Sequence, residues 1–370
     1  MIPACTEHAS FTTMKESGVP LDHVASRITV ECLGSRWREW DDCVKEWPAA
    51  GFFHHSSWMR ALSDVYGHTP KPMVFRRDGA LVGLIPMVEV NSPFTGRRGV
   101  ALPFADECAP LIAASLPETG LESALFQHAR AAGWNSVEVR GSNAGFHPVV
   151  PSMYFRGHRV KLSTDIQCMW ERLKAPFRTA IRKAEASKVY IEVSQSIQSL
   201  REFYQIYGMT RQRHGHPLQP FSFFEAIFRQ VIEAGRGDIV LARANGRCIA
   251  GAVFFHTGSR VLFKYGAYDT RFQDLRANNL VLWTGLQHYG RAGHQVMELG
   301  RTSVDNEGLC RFKEGLGAVE YRIDYGKYDL HSDRYVEEKD QAAGWHTWIF
   351  RFAPRWASSL AGKILYKHLA

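Results

Sequence analysis

The chain has no C-x-x-C pair: its seven cysteines are scattered and odd in number. That excludes a disulfide framework or a zinc-finger pattern and predicts a reducing compartment. No apolar run approaches the roughly 20 residues needed to cross a bilayer. The N-terminus lacks a basic-then-apolar leader pattern, so a cytoplasmic location is expected. G-x-S-x-G, the P-loop and H-E-x-x-H are all missing, leaving serine-hydrolase, nucleotidase and zincin chemistry without a motif. His214 and His216 stand at i, i+2, but no acid or cysteine lies near them at ligand spacing, so no metal is expected.

What is present is basic and ordinary in its apolar content. Net charge is +8 and apolar residues make up 45% of 370. The length predicts two domains, each able to bury a core. The charge favours anionic partners such as a phosphorylated cofactor, a nucleic acid or a lipid headgroup.

One pattern occurs twice. Gln127, His128, Ala132, Gly133 and Glu138 recur at the same spacing as Gln287, His288, Ala292, Gly293 and Glu298. Upstream of each copy is a two-residue turn between apolar runs, Asp78-Gly79 and Asn245-Gly246, a strong hairpin signal. Hairpin, helix and strand therefore appear twice, and the chain is read as two copies of one α/β unit. In the first copy strands are expected at 72–77 and 81–90, a loop through Pro93, Gly96 and Gly99, and a helix at 119–132. In the second, helices are expected at 197–213 and 222–234, and a helix starting near Asn278.

The stretch Val261–Arg301 reads as strand, basic loop, helix, strand. Arg271 and Arg276 enter a helix N-terminus, where free N–H groups and the positive dipole end favour an anion. Asp269 closes the preceding strand and is a candidate general base beside Tyr265; the alternative is that it caps a turn. Arg178 and Arg182 are four apart beside Lys183, so two guanidinium forks share one helix face and suit a phosphate or pyrophosphate. Arg213 and His214 end a helix and offer substrate contacts. Arg301 and Lys313 are candidates for stabilising an oxyanion.

Several short segments, in this order, resemble the FemAB-like branch of the GNAT acyltransferase superfamily. They are Phe53-His-His-Ser-Ser-Trp58, Leu102-Pro-Phe-Ala-Asp106, Phe177-Arg-Thr-Ala-Ile-Arg-Lys-Ala184, Thr210-Arg-Gln-Arg-His-Gly215-His-Pro217, Lys264-Tyr-Gly-Ala-Tyr-Asp269, and Glu298-Leu-Gly-Arg301 with Arg311-Phe-Lys313. The resemblance covers roughly 27–330. It implies an α/β fold of two tandem GNAT-like domains, each a mixed, twisted sheet flanked by helices, at 27–158 and 159–330. A poorly ordered tail over 1–26 and a linker with a basic tail over 331–370 complete the division.

The resemblance further implies acyl or aminoacyl transfer to an amine. The donor would be acyl-CoA or aminoacyl-tRNA, and the acceptor a cell-envelope or exopolysaccharide precursor, lipid-linked or not. The rivals are a CoA-dependent N-acetyltransferase acting on a small amine and a non-catalytic scaffold in envelope-polymer assembly. Expected roles are Asp269 or Asp106 as base with Tyr265, Lys313 or Arg301 as charge stabiliser, Arg271, Arg276 and Asn278 on the donor, and Arg178, Arg182, Lys183, Arg213 and His214 on the acceptor. The family's glycine loop is altered: Gln273-Asp-Leu-Arg276-Ala-Asn278 has Arg276 and Asn278 where two glycines would stand.

The segment 345–370 carries four basic residues, Arg351, Arg355, Lys363 and Lys367, and no acid. Its apolar residues Trp345, Trp348, Ile349, Phe352, Trp356, Leu360, Ile364 and Leu365 fall mostly three or four apart, with Pro354 as a break. It is expected either to pack back on the second domain or to lie in the interface of an anionic membrane at its cytoplasmic face.

Overall fold

A computed structural model describes residues 28–113, 120–141, 151–338 and 350–368; the tail expected over 1–26 lies outside them, as do Trp345, Trp348 and Ile349. The first half runs β1 (Ile28–Cys32), α1 (Trp37–Lys45), α2 (Ser56–Tyr66), β2 (Thr69–Pro70), β3 (Met73–Arg77), β4 (Ala80–Ile85), β5 (Val88–Ser92), β6 (Gly96–Val100), β7 (Leu111–Ile112), α3 (Gly120–Ala131) and β8 (Ser136–Arg140). Then come β9 (Met153–Lys161), α4 (Ile166–Arg172), α5 (Ala175–Ala186), β10 (Tyr190–Ser194), α6 (Ile197–Arg213), α7 (Phe221–Ile227), β11 (Gly237–Ala244), β12 (Arg247–Thr257), β13 (Arg260–Tyr268), α8 (Ala277–Arg291), β14 (Val296–Thr302), α9 (Glu307–Gly315), β15 (Val319–Asp329), β16 (Arg334–Tyr335) and α10 (Arg355–His368).

The repeat read from the sequence is a repeat of structure. Both turns are left-handed, with φ of 51° and 81° at Asp78-Gly79 and 49° and 73° at Asn245-Gly246, the backbone that matches strand twist. Met73 and Phe75, five and three residues before the first turn, pack with Leu121 and Leu125 of α3. Val240 and Ala242, at the same distances before the second turn, pack with Val281 and Leu282 of α8. The repeated helix thus covers the same face of its hairpin in both halves. Each copy also has one parallel pair, β6 with β8 and β13 with β14, in which Val100 faces Glu138 and Leu262 faces Glu298. These glutamates hold equivalent partners: Glu138 lies 3.8 Å from Arg98, and Glu298 pairs with Arg260.

Three differences from expectation stand out, the first two with local causes. The strand expected at 81–90 is β4 and β5, interrupted at Pro86-Met87. Proline cannot donate to a ladder, and β4 stays in a four-stranded sheet while β5 joins the large one. The loop expected through Gly96 and Gly99 contains β6, because Gly99 leaves room for the Trp134 ring, which a Cβ there would meet at 1.9 Å. The helix expected at 222–234 is α7 followed by a π-helical turn, Phe228–Ile232.

The large sheet runs β10-β11-β12-β13-β14-β9-β15-β8-β6-β5-β2 and crosses from one half to the other. β15 makes the crossing: its first part pairs with β9 and its last part with β8. Position 159 lies within β9. On the opposite face, α1 and α2 of the first half and α6 and α7 of the second share one core. There Phe52 stacks on Phe255 at 4.6 Å and Trp58 meets Phe223 edge-on at 5.4 Å, each buried ring contributing about 1.5–3 kcal/mol.

The C-terminal segment docks across both halves. Gly362 of α10 abuts the Leu218 carbonyl, where a Cβ would come within 2.0 Å. Arg98 donates to the His368 carbonyl at 2.9 Å, and Arg211 to the Tyr366 hydroxyl at 2.7 Å. Among the described residues no helix is long and apolar enough to cross a membrane.

Candidate functional site

β13 and β14 pair as parallel neighbours through Leu262 and Glu298 and then separate. The ladder between β14 and β9 is also irregular between Glu298 and Arg301, and Gly300 there has φ of 68°. Asp106 of the first half enters beside this bulge, its carboxyl carbon 3.4 Å from where a Gly300 Cβ would sit. It forms an ion pair with Lys264 of β13 at 2.8 Å; the lysine also donates to the Phe104 carbonyl at 2.6 Å and lies 5.2 Å from the Phe53 ring centre. Burial pushes the Asp106 carboxyl up, but Lys264 together with Arg301 and Lys313 outweighs it, and the group is held below its ordinary range.

Lys313 of α9 reaches the same bulge from the other side. It is 4% exposed and donates to the Gly300 carbonyl and the Thr302 hydroxyl, each at 2.8 Å. Burial lowers its pKa to about 8. Arg301 donates to the Tyr325 hydroxyl at 3.0 Å and lies 4.3 Å from the Phe155 ring centre; Tyr325 in turn donates to the Asp106 carbonyl at 2.7 Å. Tyr265 is buried among Tyr207 and Phe224, its hydroxyl without a hydrogen-bond partner and its pKa raised by burial.

A cleft of about 1270 Å³ opens at the end of β13. Three helix N-termini contribute to it: Lys174 and Ala175 of α5, Arg276 to Asn279 at α8, and Asn306 with Gly308 at α9. Their dipoles favour an anion, although at α9 the Asn306 side chain already accepts from the Leu309 N–H at 3.1 Å. Lys183, Arg276 and Arg311 add cationic side chains, and Phe177, Phe272 and Phe312 apolar ones. Arg276, which precedes α8, has φ of 57° and ψ of 24°. The altered loop therefore keeps a left-handed backbone at a position suited to glycine, with a guanidinium attached; the helix begins at Ala277, one residue before the expected start.

The expected residues divide between these places. Asp106, Lys313, Arg301 and Tyr265 converge on the β13–β14 separation. Arg276, Asn278, Lys183, His214 and Asp269 line the cleft. Asp269 caps the 3-10 turn Thr270–Leu275, accepting from the Arg271 backbone N–H at 3.0 Å, and Arg271 grips both its oxygens at 2.6–3.1 Å. The Arg271 hydrogen bonds hold that carboxyl below its ordinary range, which leaves it a weak base. Arg178 donates to the carbonyls of Glu171 and Leu173, Arg182 lies 5.5 Å over Trp170, and Arg213 lies 4.5 Å over Tyr268. The reading of roles missed Lys264, whose signal was a lysine inside an apolar strand, and Arg311, Lys174 and Asn306, which only the meeting of α5, α8 and α9 brings together.

The model of the acetyltransferase (GNAT) domain family matches residues 172–314. This stretch, from the end of α4 into α9, is similar in sequence to a GNAT acetyltransferase domain. The fold of the whole chain is similar to that of FemX and of a tandem GNAT protein. FemX is similar over 80% of this chain and 96% of its own, at 14% identity and a TM-score of 0.63. L-PGS from Bacillus licheniformis is similar over 90% and 95%, at 14% identity and 0.51. A tandem GNAT protein from the clavulanic acid biosynthesis pathway is similar over 82% and 99%, at 13% identity and 0.50. No curated protein sequence matches the chain. In GNAT terms the cleft lies at the β13–α8 loop, with the buried cluster where β13 and β14 part.

Proposed function

We propose that this GNAT protein transfers an acyl or aminoacyl group from a phosphate-bearing donor to an amine on a cell-envelope or exopolysaccharide precursor. The observation that carries the reading is the juxtaposition of the cationic cleft at the N-termini of α5, α8 and α9 with the buried Lys313–Asp106–Lys264 cluster. β13 and α9 serve both: β13 supplies Tyr268 to the cleft and Lys264 to the cluster, α9 supplies Arg311 and Lys313. Donor phosphates, from acyl-CoA or from the end of an aminoacyl-tRNA, sit against Arg276, the α8 N-terminus and Lys183, which is reassigned from the expected acceptor set because it lines this cleft. The acyl carbonyl reaches toward the parted strands, where the Lys313 ammonium stabilises the oxyanion as the amine attacks. The intermediate then collapses by breaking the bond from the acyl carbon to the CoA sulfur or tRNA oxygen, and that leaving atom takes up the proton the amine gives up. Arg178, Arg182, Arg213 and His214 remain the proposed contacts of the acceptor. Thermal-shift titration with acetyl-CoA and with an aminoacylated tRNA acceptor-stem mimic tests this. Stabilisation by one of them, followed by transfer to an amine, is expected; no response to either overturns the reading.

Arg276 gives a sharper test, because its backbone and side chain pull in opposite directions. A left-handed non-glycine residue costs about 1–2 kcal/mol, part of which a glycine gives back through its freer unfolded chain. Arg276→Gly is expected to raise stability by up to about 1 kcal/mol and to weaken donor binding by the roughly 1.5–3 kcal/mol of a charged hydrogen bond. Denaturant melts and donor titration on the same variant measure both. Tighter donor binding would mean that the guanidinium obstructs the phosphates.

The acceptor's setting suggests a surface role for α10. Leu360 and Ile364 are each 58% exposed, and the same i, i+4 row continues to His368, whose ring meets the 83% exposed Phe94 at 5.8 Å. Exposed Lys363 and Lys367 flank the row. An apolar row edged with lysines suits shallow insertion into an anionic leaflet, about 1 kcal/mol coming from each basic residue. Co-sedimentation with phosphatidylglycerol vesicles is expected to fall sharply in Leu360→Glu/Ile364→Glu, with folding retained; equal sedimentation sinks the idea.

A further inference from the structure

His158 is far in sequence from Cys310 and Glu320, and none of the three has a part in the transfer chemistry above. β9 and β15 bring His158 and Glu320 directly opposite each other, and α9 lays Cys310 beside them. Their ligand atoms all lie within 4.8 Å of one another, with His158 Nε2 3.5 Å from a Glu320 oxygen. His158 is fully buried, yet neither ring nitrogen has a hydrogen-bond partner. A buried neutral imidazole carries one donor and one acceptor, and a cation would occupy the nitrogen facing Glu320, Nε2. Cys310 is also fully buried.

We infer that His158, Cys310 and Glu320 form a binding site for a soft divalent cation, zinc by its donor set. Imidazole nitrogen, thiolate sulfur and carboxylate oxygen are the ligands zinc takes, at about 2.0–2.3 Å and in tetrahedral array. Small side-chain movements bring the three atoms to that geometry, and water completes the fourth position. Arg156 holds a Glu320 oxygen at 2.6 Å through Nη2 and Glu307 at 3.0 Å through Nη1. It orients the carboxylate as an outer-shell partner does, and Glu307 remains its counter-ion. Zinc with one thiolate and one carboxylate is neutral, and binding releases the Cys310 proton to solvent. The cation would tie α9 to β9 and β15 three residues before Lys313. It would thereby steady the ammonium against Gly300 and Thr302 as a positioning element.

The test uses the full chain, stripped by chelator and titrated with Co²⁺. A thiolate-to-cobalt charge-transfer band and tetrahedral d–d bands at one equivalent are expected, with one zinc retained per chain after loading and desalting. Cys310→Ser removes the charge-transfer band, and His158→Gln and Glu320→Gln each weaken binding by about ten-fold or more. Zinc raises the melting temperature of the wild type and not of Cys310→Ser. A cobalt spectrum without the thiolate band, or unchanged zinc retention in Glu320→Gln, whose partly exposed side chain makes folding failure the smaller risk, overturns the site.

Discussion

Asp106→Ala is expected to destabilise the protein by about 3–5 kcal/mol, because it leaves the Lys264 ammonium buried without its counter-ion. Lys264 is 7% exposed at its side chain. Its remaining acceptor is the Phe104 carbonyl, and the Phe53 and Trp58 rings, 5.2 and 5.6 Å away, give a weaker substitute for a charge. The pair also joins the halves, since residue 106 precedes β9 and residue 264 belongs to β13. Replacing both partners by apolar residues, Asp106→Leu with Lys264→Met, removes the charge and its desolvation together and is expected to cost far less than either single change. Urea melts of the four proteins give the coupling directly. Additive losses would mean that the two groups do not depend on each other. The pH dependence has a definite sign. The Asp106 carboxyl is held below its ordinary range in the folded state, so its contribution is complete above about pH 4 and is lost as pH falls through the folded value.

The repeat was legible because it rests on local chemistry. Asp78-Gly79 and Asn245-Gly246 state their turns outright, and Gly133 and Gly293 end their helices in left-handed conformations. Helix α6 follows its residues to the same bounds, 197–213, since a serine cap at Ser196 opens it and Gly215 closes it. What the sequence could not state is pairing across distance. That β15 completes the first half's sheet depends on 180 residues of intervening fold, and the split at Pro86 becomes visible only when β4 and β5 enter different sheets. At the site, Arg301 was singled out at a strand end, Lys313 in the segment that follows it, and Asp106 in a segment carrying the family resemblance. The Lys264 partner was not, because a lysine in an apolar strand reads as a surface residue until the facing half is in place. Asp269 was ambiguous in sequence for a physical reason: a carboxylate at a strand end is both a base and a cap, and only the position of Arg271 separates the two.

Lys313→Met is expected to make the protein more stable at neutral pH and nearly inactive. Burial lowers the lysine from 10.5 to about 8, which amounts to roughly 3 kcal/mol of penalty on the charged form. Below pH 8 the folded and unfolded states both carry the proton, and the folded state bears that penalty. Between about pH 8 and 10.5 the unfolded chain binds more protons than the folded one, so stability rises with pH across that window. Methionine removes the penalty but also the bonds to the Gly300 carbonyl and the Thr302 hydroxyl, each worth about 0.5–1.5 kcal/mol. The net gain is about 1–2 kcal/mol at pH 7 and turns into a loss of similar size above the ordinary lysine value, where only the missing bonds remain. Loss of one preorganised donor to an oxyanion costs about 10²–10³ in rate. The pH dependence of the wild-type to Lys313→Met rate ratio cancels ionisation of the acceptor amine. With the ammonium as the active form, that ratio falls as pH rises through 8; a ratio rising through 8 would instead assign Lys313 as the base. A variant no more stable than wild type at pH 7 would mean that the bonds to Gly300 and Thr302 offset the cost of burying the ammonium, so that burial does not lower the lysine.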